Sequence, residues 1–402
     1  MRFPEGDTRT FDNDRLYLDG LIPMNTVRSL MLGAALIGGL FSTSAHAWWH
    51  GDWKARAKIT LNTTAQGVET KEALSGVVVP VRLHSGNFDF LSAKPDGSDL
   101  RVVAADDKTP LKYWIERFDG ANELAVVWVQ VPSVAPGTDK NVVYVYAGNE
   151  KATAESASNA VYDGSMSAAF SFAGKDGAPA QDAVNQIATS APVARETNGL
   201  IGPAAKLDGQ QALVIPAGDK LKASASGPYT VSLWVKPGAL TGIIFKQAPL
   251  TIALNAGKLQ ADLGKVQAIG GELPASAWAH VAVVVGNNKL SLYLNGEQAA
   301  QADLAASTTP IEGEISLGQG LVAQIDELEV ASTVRSADWL KFAHAAQSAD
   351  AKLVAGVSQT PDTAKDGGGE PGYFGILVGN LTVDAWVVIG ILGVMFAVAA
   401  WV

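Results

Sequence analysis

The run Gln324-Ile325-Asp326-Glu327-Leu328-Glu329 puts three carboxylates into one short stretch. Carboxylates are the working groups of glycoside hydrolysis, which needs two of them flanking the sugar bond, about 5–5.5 Å apart when configuration is retained. A second candidate is the cluster Trp48, Trp49 and Trp53, because flat apolar rings stack on pyranose faces. Packing of the first strand onto its sheet is the plainer use of the same rings. The five histidines, at 46, 50, 84, 280 and 344, show no ligand spacing, and His280 reads as structural. No Ser–His–Asp grouping, phosphate loop or Gly-x-Gly-x-x-Gly signature is present. The chain has no cysteine, which removes disulfides, thiol nucleophiles and cysteine-ligated metals together.

These residues sit in 402 residues that are 48% apolar and 17% charged. That length allows two or three domains with a sizeable core. The formal net charge is −10 and Lys and Arg are nowhere concentrated, so nucleic acid is excluded as a partner for want of a basic footprint.

The elements that must position the candidates read as all-β. β-rich runs at 58–61, 77–83, 111–118, 124–131 and 141–147 are separated by turn signals such as Asp119-Gly120 and Pro136-Gly137, the pattern of a compact sandwich over 48–153. Over 161–358 the pattern continues at 213–215, 229–235, 243–245, 250–254, 279–285, 290–294, 314–317 and 323–330. Alternation places Val231, Leu233 and Val235 on one face, and Leu290, Leu292 and Leu294 likewise. Asn295-Gly296 is the strongest hairpin signal in the chain. One helix is expected after Arg335, capped by Ser336, with Asp338 in its first turn and Trp339, Phe342, Ala343 and Ala346 on one face.

The first domain, through WWHGDWKARAKITLNTT, VPVRLHSGNFDFLSAKPDGSDLRVVAADDKTPLKYWIERFD and AVVWVQVPSVAPGTDKNVVYVYAGN, resembles an uncharacterised bacterial domain family with no known catalytic residues. The second, through KLDGQQALVIPA, YTVSLWVKPG, WAHVAVVVGNNKLSLYLNGEQAA and AQIDELEVASTVRSADWLKFA, resembles a laminin-G-like, concanavalin A-like jelly roll. That resemblance implies two antiparallel sheets and a fold used for carbohydrate or protein binding, sometimes with calcium. Retaining laminarinase-like members carry a Glu-Ile-Asp-x-x-Glu strand; here Gln324 stands at the nucleophile's place, and an amide cannot form the glycosyl ester, so no enzyme activity is expected. The jelly-roll resemblance also brings Asp182, Asn185 and Asp326 to the place where relatives carry calcium ligands. The loop departs from the usual Asp-Ser-Ser-Gly-Asn run, leaving two readings: a structural calcium, or solvated loop carboxylates.

Two apolar segments set the address. From Met24, Arg28 supplies a positive start, residues 30–41 an apolar stretch and Ala45-His46-Ala47 a cleavage site, the make-up of a secretory signal peptide over 24–47. Residues 1–23 then read as an upstream extension. Residues 385–402 contain no charge and at about 27 Å match a hydrocarbon core of about 30 Å. A flexible linker at 359–375 and a membrane-proximal segment from 376 precede that span. The expected location is the bacterial inner membrane, with the globular domains in the periplasm. This domain order resembles the N-terminal part of TolQ/ExbB/MotA proton-channel fusion proteins. It implies a membrane-anchored binding module of an energising complex, with ExbB/TolQ-like channel subunits as partners and the channel part absent. The alternative is a freestanding cell-envelope lectin, whose ligand would be a glycan or an envelope protein.

Overall fold

Alternation of apolar and polar residues fixes which side of each strand turns inward, and Ala55–Leu61 shows it in its simplest form, with Ala55, Ala57, Ile59 and Leu61 buried and the residues between them half-exposed. The computed structural model describes residues 48–304, 309–348 and 352–359. The expected extension (1–23), signal peptide (24–47) and membrane span (385–402) lie outside the described residues, as does the segment from 360 onward. Among the described residues no helix is long and apolar enough to cross a membrane.

The first domain has strands β1 (Ala55–Leu61), β2 (Leu74–His84), β3 (Arg101–Ala104), β4 (Tyr113–Asp119), β5 (Leu124–Val134) and β6 (Asn141–Ala147). The second continues with β7 (Met166–Phe170), β8 (Arg195–Glu196), β9 (Ala204–Asp208), β10 (Leu213–Ile215), β11 (Tyr229–Pro237), β12 (Gly242–Gln247) and β13 (Leu250–Asn255). After these come β14 (Lys258–Leu263), β15 (Val266–Glu272), β16 (Ala279–Gly286), β17 (Lys289–Leu294), β18 (Glu297–Asp303), β19 (Ile315–Leu317) and β20 (Val322–Ala331). Helix α1 (Ala337–Gln347) and strand β21 (Val354–Gln359) complete the described chain.

The first domain is a sandwich of two sheets, ordered β21-β1-β6-β3 and β2-β5-β4. Ile59, Leu61, Val79, Val81, Val127, Val129, Val143 and Val145 meet between them. The second is a larger sandwich. Its six-stranded sheet runs β10-β19-β12-β13-β14-β15, and its eight-stranded sheet runs β18-β17-β16-β11-β20-β9-β8, with β7 also pairing β20. Val231, Leu233, Val235, Leu290 and Leu292 fill the core between these sheets, as their alternation predicts, and Leu294 packs at its margin.

The centre of the eight-stranded sheet is buried on both faces. β16 has no exposed residue along its length, because Ala282, Val284 and Tyr293 turn away from the jelly-roll core and join Trp339, Leu340 and Phe342 of α1 and the first domain's valines in one apolar cluster. Ser336 caps α1, its hydroxyl accepting from the Trp339 amide at 3.1 Å. Asp338 does more than favour the first turn: its Oδ2 accepts from the Lys71 amide and from the Glu72 amide at 3.0 Å, tying the helix start to the first domain.

One boundary differs from expectation. The sequence pattern places residues 354–358 in the second domain and 359 in the linker, yet β21 returns to the first sandwich and pairs antiparallel with β1, from Leu61 opposite Val354 to Arg56 opposite Gln359. The cause is the free edge of β1 beside β6. Leu353 is fully buried on arrival.

Candidate functional site

Strand β20 carries the acidic run, and its register explains where the carboxylates point. Opposite β11 the pairing shifts between Ser232 and Trp234, so β20 accommodates one extra residue, and Glu327 takes a left-handed backbone with φ of 47°. A bulge of this kind re-aims side chains. Ile325 and Leu328 face the core, and Asp326, Glu327 and Glu329 are left on the side covered by α1 and the first domain.

Asp326 is fully buried. Its Oδ2 accepts from the amides of Leu200 at 2.9 Å and Ile201 at 3.4 Å, and its Oδ1 from Glu327 at 3.1 Å. Desolvation nevertheless pushes its pKa up to about 8, with the Glu116 charge adding to the shift. Glu327 is 4% exposed and its Oε1 has no hydrogen-bond partner. Burial, and then the charges of Asp326, Glu116 and Glu329, hold its pKa well above the carboxylate range against the opposing pull of Arg82. Glu329 accepts from Gln347 Nε2 at 3.2 Å, and burial raises it to about 7.

The first domain contributes two further groups. Glu116 Oε2 accepts from the Trp128 indole at 2.5 Å, and burial raises its pKa although Trp128 and Arg82 pull the other way. A Cβ placed on Gly202 would lie 2.7 Å from Glu116 Oε1, so this carboxyl rests on the same loop whose amides hold Asp326. Arg82 donates to the last carbonyls of α1, Gln347 O at 2.6 Å, Ser348 O at 3.1 Å and Ala346 O at 3.4 Å. A cation at a helix C-terminus is favoured by the backbone dipole.

The expected calcium ligands divide into two places. Asp182 and Asn185 come together, Asp182 Oδ1 accepting from the amides of Val184 at 2.7 Å and Asn185 at 3.0 Å, and Oδ2 from Ile187 at 2.6 Å. Asn185 turns its amide nitrogen to Ser167 O at 2.8 Å. Asp326 serves the separate 200–201 loop. Three amide hydrogens reach the carboxylate oxygens of Asp182 and three those of Asp326. Among the described residues no three His, Asp or Glu side chains are placed to hold a metal.

The aromatic cluster is also divided. Trp53 is structural: it is buried, and its indole donates to Asp99 O at 2.9 Å. Trp48 and Trp49 are half-exposed and stand around Tyr146, at centroid distances of 5.6 and 5.9 Å. The Arg56 guanidinium lies 5.0 Å from the Trp48 ring and 4.4 Å from that of half-exposed Tyr144. It is steadied by Tyr146 Oη at 2.7 Å, by Asp107 and by Gln359 Oε1 at 2.7 Å. The result is a ledge of planar groups on the outer side of the β21-β1-β6-β3 sheet. Spacing could name the tryptophans, but not Arg56, Tyr144 or Gln359, which come from three strands.

Residues 207–341 match the concanavalin A-like lectin/glucanases superfamily. The chain carries a concanavalin A-like domain. Residues 96–178 match a domain of unknown function (DUF2341) that precedes it. Neither match is to a proton-channel family, so the TolQ/ExbB/MotA expectation rests on resemblance alone. No curated protein matches the chain. Among solved structures, the binding domain of Paraclostridial Mosquitocidal Protein 1 is 13% identical, over 45% of this chain and 52% of that one, with a TM-score of 0.40. Domain 4 of AbnA, a GH43 extracellular arabinanase from Geobacillus stearothermophilus, in complex with arabinotriose, is 23% identical over 44% and 97%, with a TM-score of 0.35. The botulinum neurotoxin serotype D binding domain is 13% identical over 45% and 51%, with a TM-score of 0.36. The chain spans about half the length of the toxin binding domains it matches.

Proposed function

We propose that this chain is a lectin-like, glycan-binding module of the bacterial cell envelope. The observation that carries the reading is the ledge formed by Trp48, Trp49 and Tyr144 around Arg56, which offers half-exposed aromatic faces beside planar hydrogen-bonding groups. Pyranose rings present apolar C–H faces edged by hydroxyls, and a surface alternating rings with polar forks complements both. The superfamily of the second domain holds both lectins and glucanases, and two features support the binding reading. Asp326 and Glu329 are buried beneath the first domain and α1, and Gln324 supplies an amide where a retaining enzyme needs a nucleophile.

Envelope placement is supported by the signal-peptide-like make-up of residues 24–47 and the uncharged apolar stretch at 385–402, and cell fractionation with protease protection tests it. Binding is tested by glycan-array screening of the chain, then calorimetry on the best glycan with W48A/W49A. The double variant should bind at least tenfold more weakly, about 1.4 kcal/mol. A parent chain that retains no glycan on the array sinks the reading. An unchanged affinity in the variant moves the contact away from the ledge.

A further inference from the structure

The start of β1 carries a basic residue at every second position. Ala55, Ala57, Ile59 and Leu61 turn into the first sandwich, so Arg56 and Lys58 share its outer face, with exposed Lys54 just before them. The three cations are not equivalent. Lys54 meets Glu150 at 3.9 Å across exposed surface. Arg56 is neutralised by Asp107, whose other oxygen accepts from Tyr146 Oη at 2.5 Å. Lys58 lies directly opposite Tyr144 of β6 and Val357 of β21, and its diagonal neighbours on those strands are Val142, Tyr146, Ala355 and Gln359. None of these is acidic, and among the described residues no carboxylate pairs with Lys58. In a chain with 40 acidic and 30 basic residues, a cation on a sheet face without an acidic neighbour runs against the composition. It stands between the half-exposed ring of Tyr144 and Val357, which is 62% exposed.

We propose that the ledge selects anionic glycans, with the Lys58 ammonium holding the carboxylate or phosphate of the sugar. The inference rests on the ledge being the glycan site and adds its charge preference. Directly opposed residues of an antiparallel pair have Cβ atoms about 5 Å apart. A sugar stacked on Tyr144 therefore brings an exocyclic acidic group within reach of Lys58. A lysine ammonium is a compact point charge with three rotatable donors, which suits either oxyanion. Arg56 has a different task. Its charge is answered by Asp107, and its hydrogens go to Asp107, Tyr146 and Gln359, so it positions the rings of Trp48 and Tyr144. The exposed acids of this region, Asp52 and Glu150, pair with His50 and Lys54, before β1 begins. They disfavour an anion at that end, and Lys58 draws it to the other. The glycan is thereby oriented along β1, with its acidic group towards Lys58 and its neutral part towards Trp48 and Trp49.

The test is an array of matched glycan pairs probed with the full chain, as parent, K58Q and W48A/W49A. Oligogalacturonate beside its methyl ester reports a carboxylate preference. A phosphomannan oligosaccharide beside its dephosphorylated form reports a phosphate preference. The parent should bind the acidic member of at least one pair about fivefold to tenfold more tightly than the neutral member, and which pair responds identifies the oxyanion. That preference should shrink as salt rises from about 50 to 500 mM. K58Q should bind both members as the parent binds the neutral one, with the salt dependence gone and the melting temperature unchanged. W48A/W49A should weaken both members together. Equal retention of acidic and neutral members by the parent overturns the charge preference and leaves the ledge as the glycan site. A preference that survives in K58Q overturns the assignment to Lys58, as does a K58Q variant that loses neutral binding or melts early, since the residue would then be structural. A parent that retains no glycan sinks the ledge reading and this inference with it.

Discussion

At the scale of single residues, the junction between the two domains depends on small groups doing two tasks each. Ser336 ends the loop after β20 and caps α1, and Asp338, one turn in, reaches out to the Lys71 and Glu72 amides of the other domain. The Ser336→Ala variant loses a cap and should cost about 1 kcal/mol. Asp338→Ala loses two charge-assisted bonds at an exposed position and should cost about 1 kcal/mol as well. Urea midpoints measure both, and equilibrium m-values separate the two roles. S336A should leave m unchanged, whereas a D338A variant that uncouples the domains should broaden the transition. A neutral S336A would mean that tertiary packing alone holds the helix start. Ser336 and Asp338 were both legible in the sequence as helix signals. The interdomain use of Asp338 was not, because residues 71 and 338 meet only through the fold.

At the scale of elements, the hairpin between β17 and β18 shows how local and long-range demands coincide. Asn295 and Gly296 adopt φ of 51° and 79°, the left-handed pair that a two-residue turn requires. A Cβ on Gly296 would also lie 2.8 Å from the Cα of Lys341, so the turn must pass close beneath α1. Gly296→Ala therefore meets both backbone strain and a clash with helix backbone, and should cost about 2–4 kcal/mol. Thermal unfolding measures the loss, and a drop no larger than an ordinary turn substitution gives would show that α1 can shift. Elements of this type were readable: the turn dipeptide, the alternation at 231–235 and the apolar face of α1 all state their geometry within a few residues. β21 did not, since residues 354–358 read as the end of the second domain and its partner strand lies about 300 residues earlier. The burial of the acidic run on β20 is likewise not written in its neighbours, because the groups that cover it, the 200–201 loop and Gln347 of α1, meet it only through the fold.

At the scale of the whole molecule, the buried titrating groups set opposite limits on stability. Asp326, Glu327 and Glu329 have folded pKa values above their ordinary ones, with burial as the first cause. The folded state binds their protons more tightly than the unfolded state does. Their contribution is intact below about pH 4 and is lost progressively as pH rises towards 8. His280 works in the other direction. Buried beside Trp234 and His344, it is pushed down to about 3, by desolvation first and by His344 second. It stays neutral in the fold while the unfolded chain protonates below about pH 6.5, so acidification below that point destabilises the fold. Asp163, lowered chiefly by its bonds to Ser165 and Arg335 against the opposing effect of burial, removes further stability below about pH 4. Three raised carboxylates outweigh one lowered histidine, so the melting temperature should peak on the acid side of neutrality, between about pH 4 and 6.5, and decline towards pH 8. Calorimetric scans across that range check it. The E327Q variant should flatten the alkaline limb and leave the acid limb in place, whereas a peak at or above pH 8 in the parent would contradict the burial of these carboxyls.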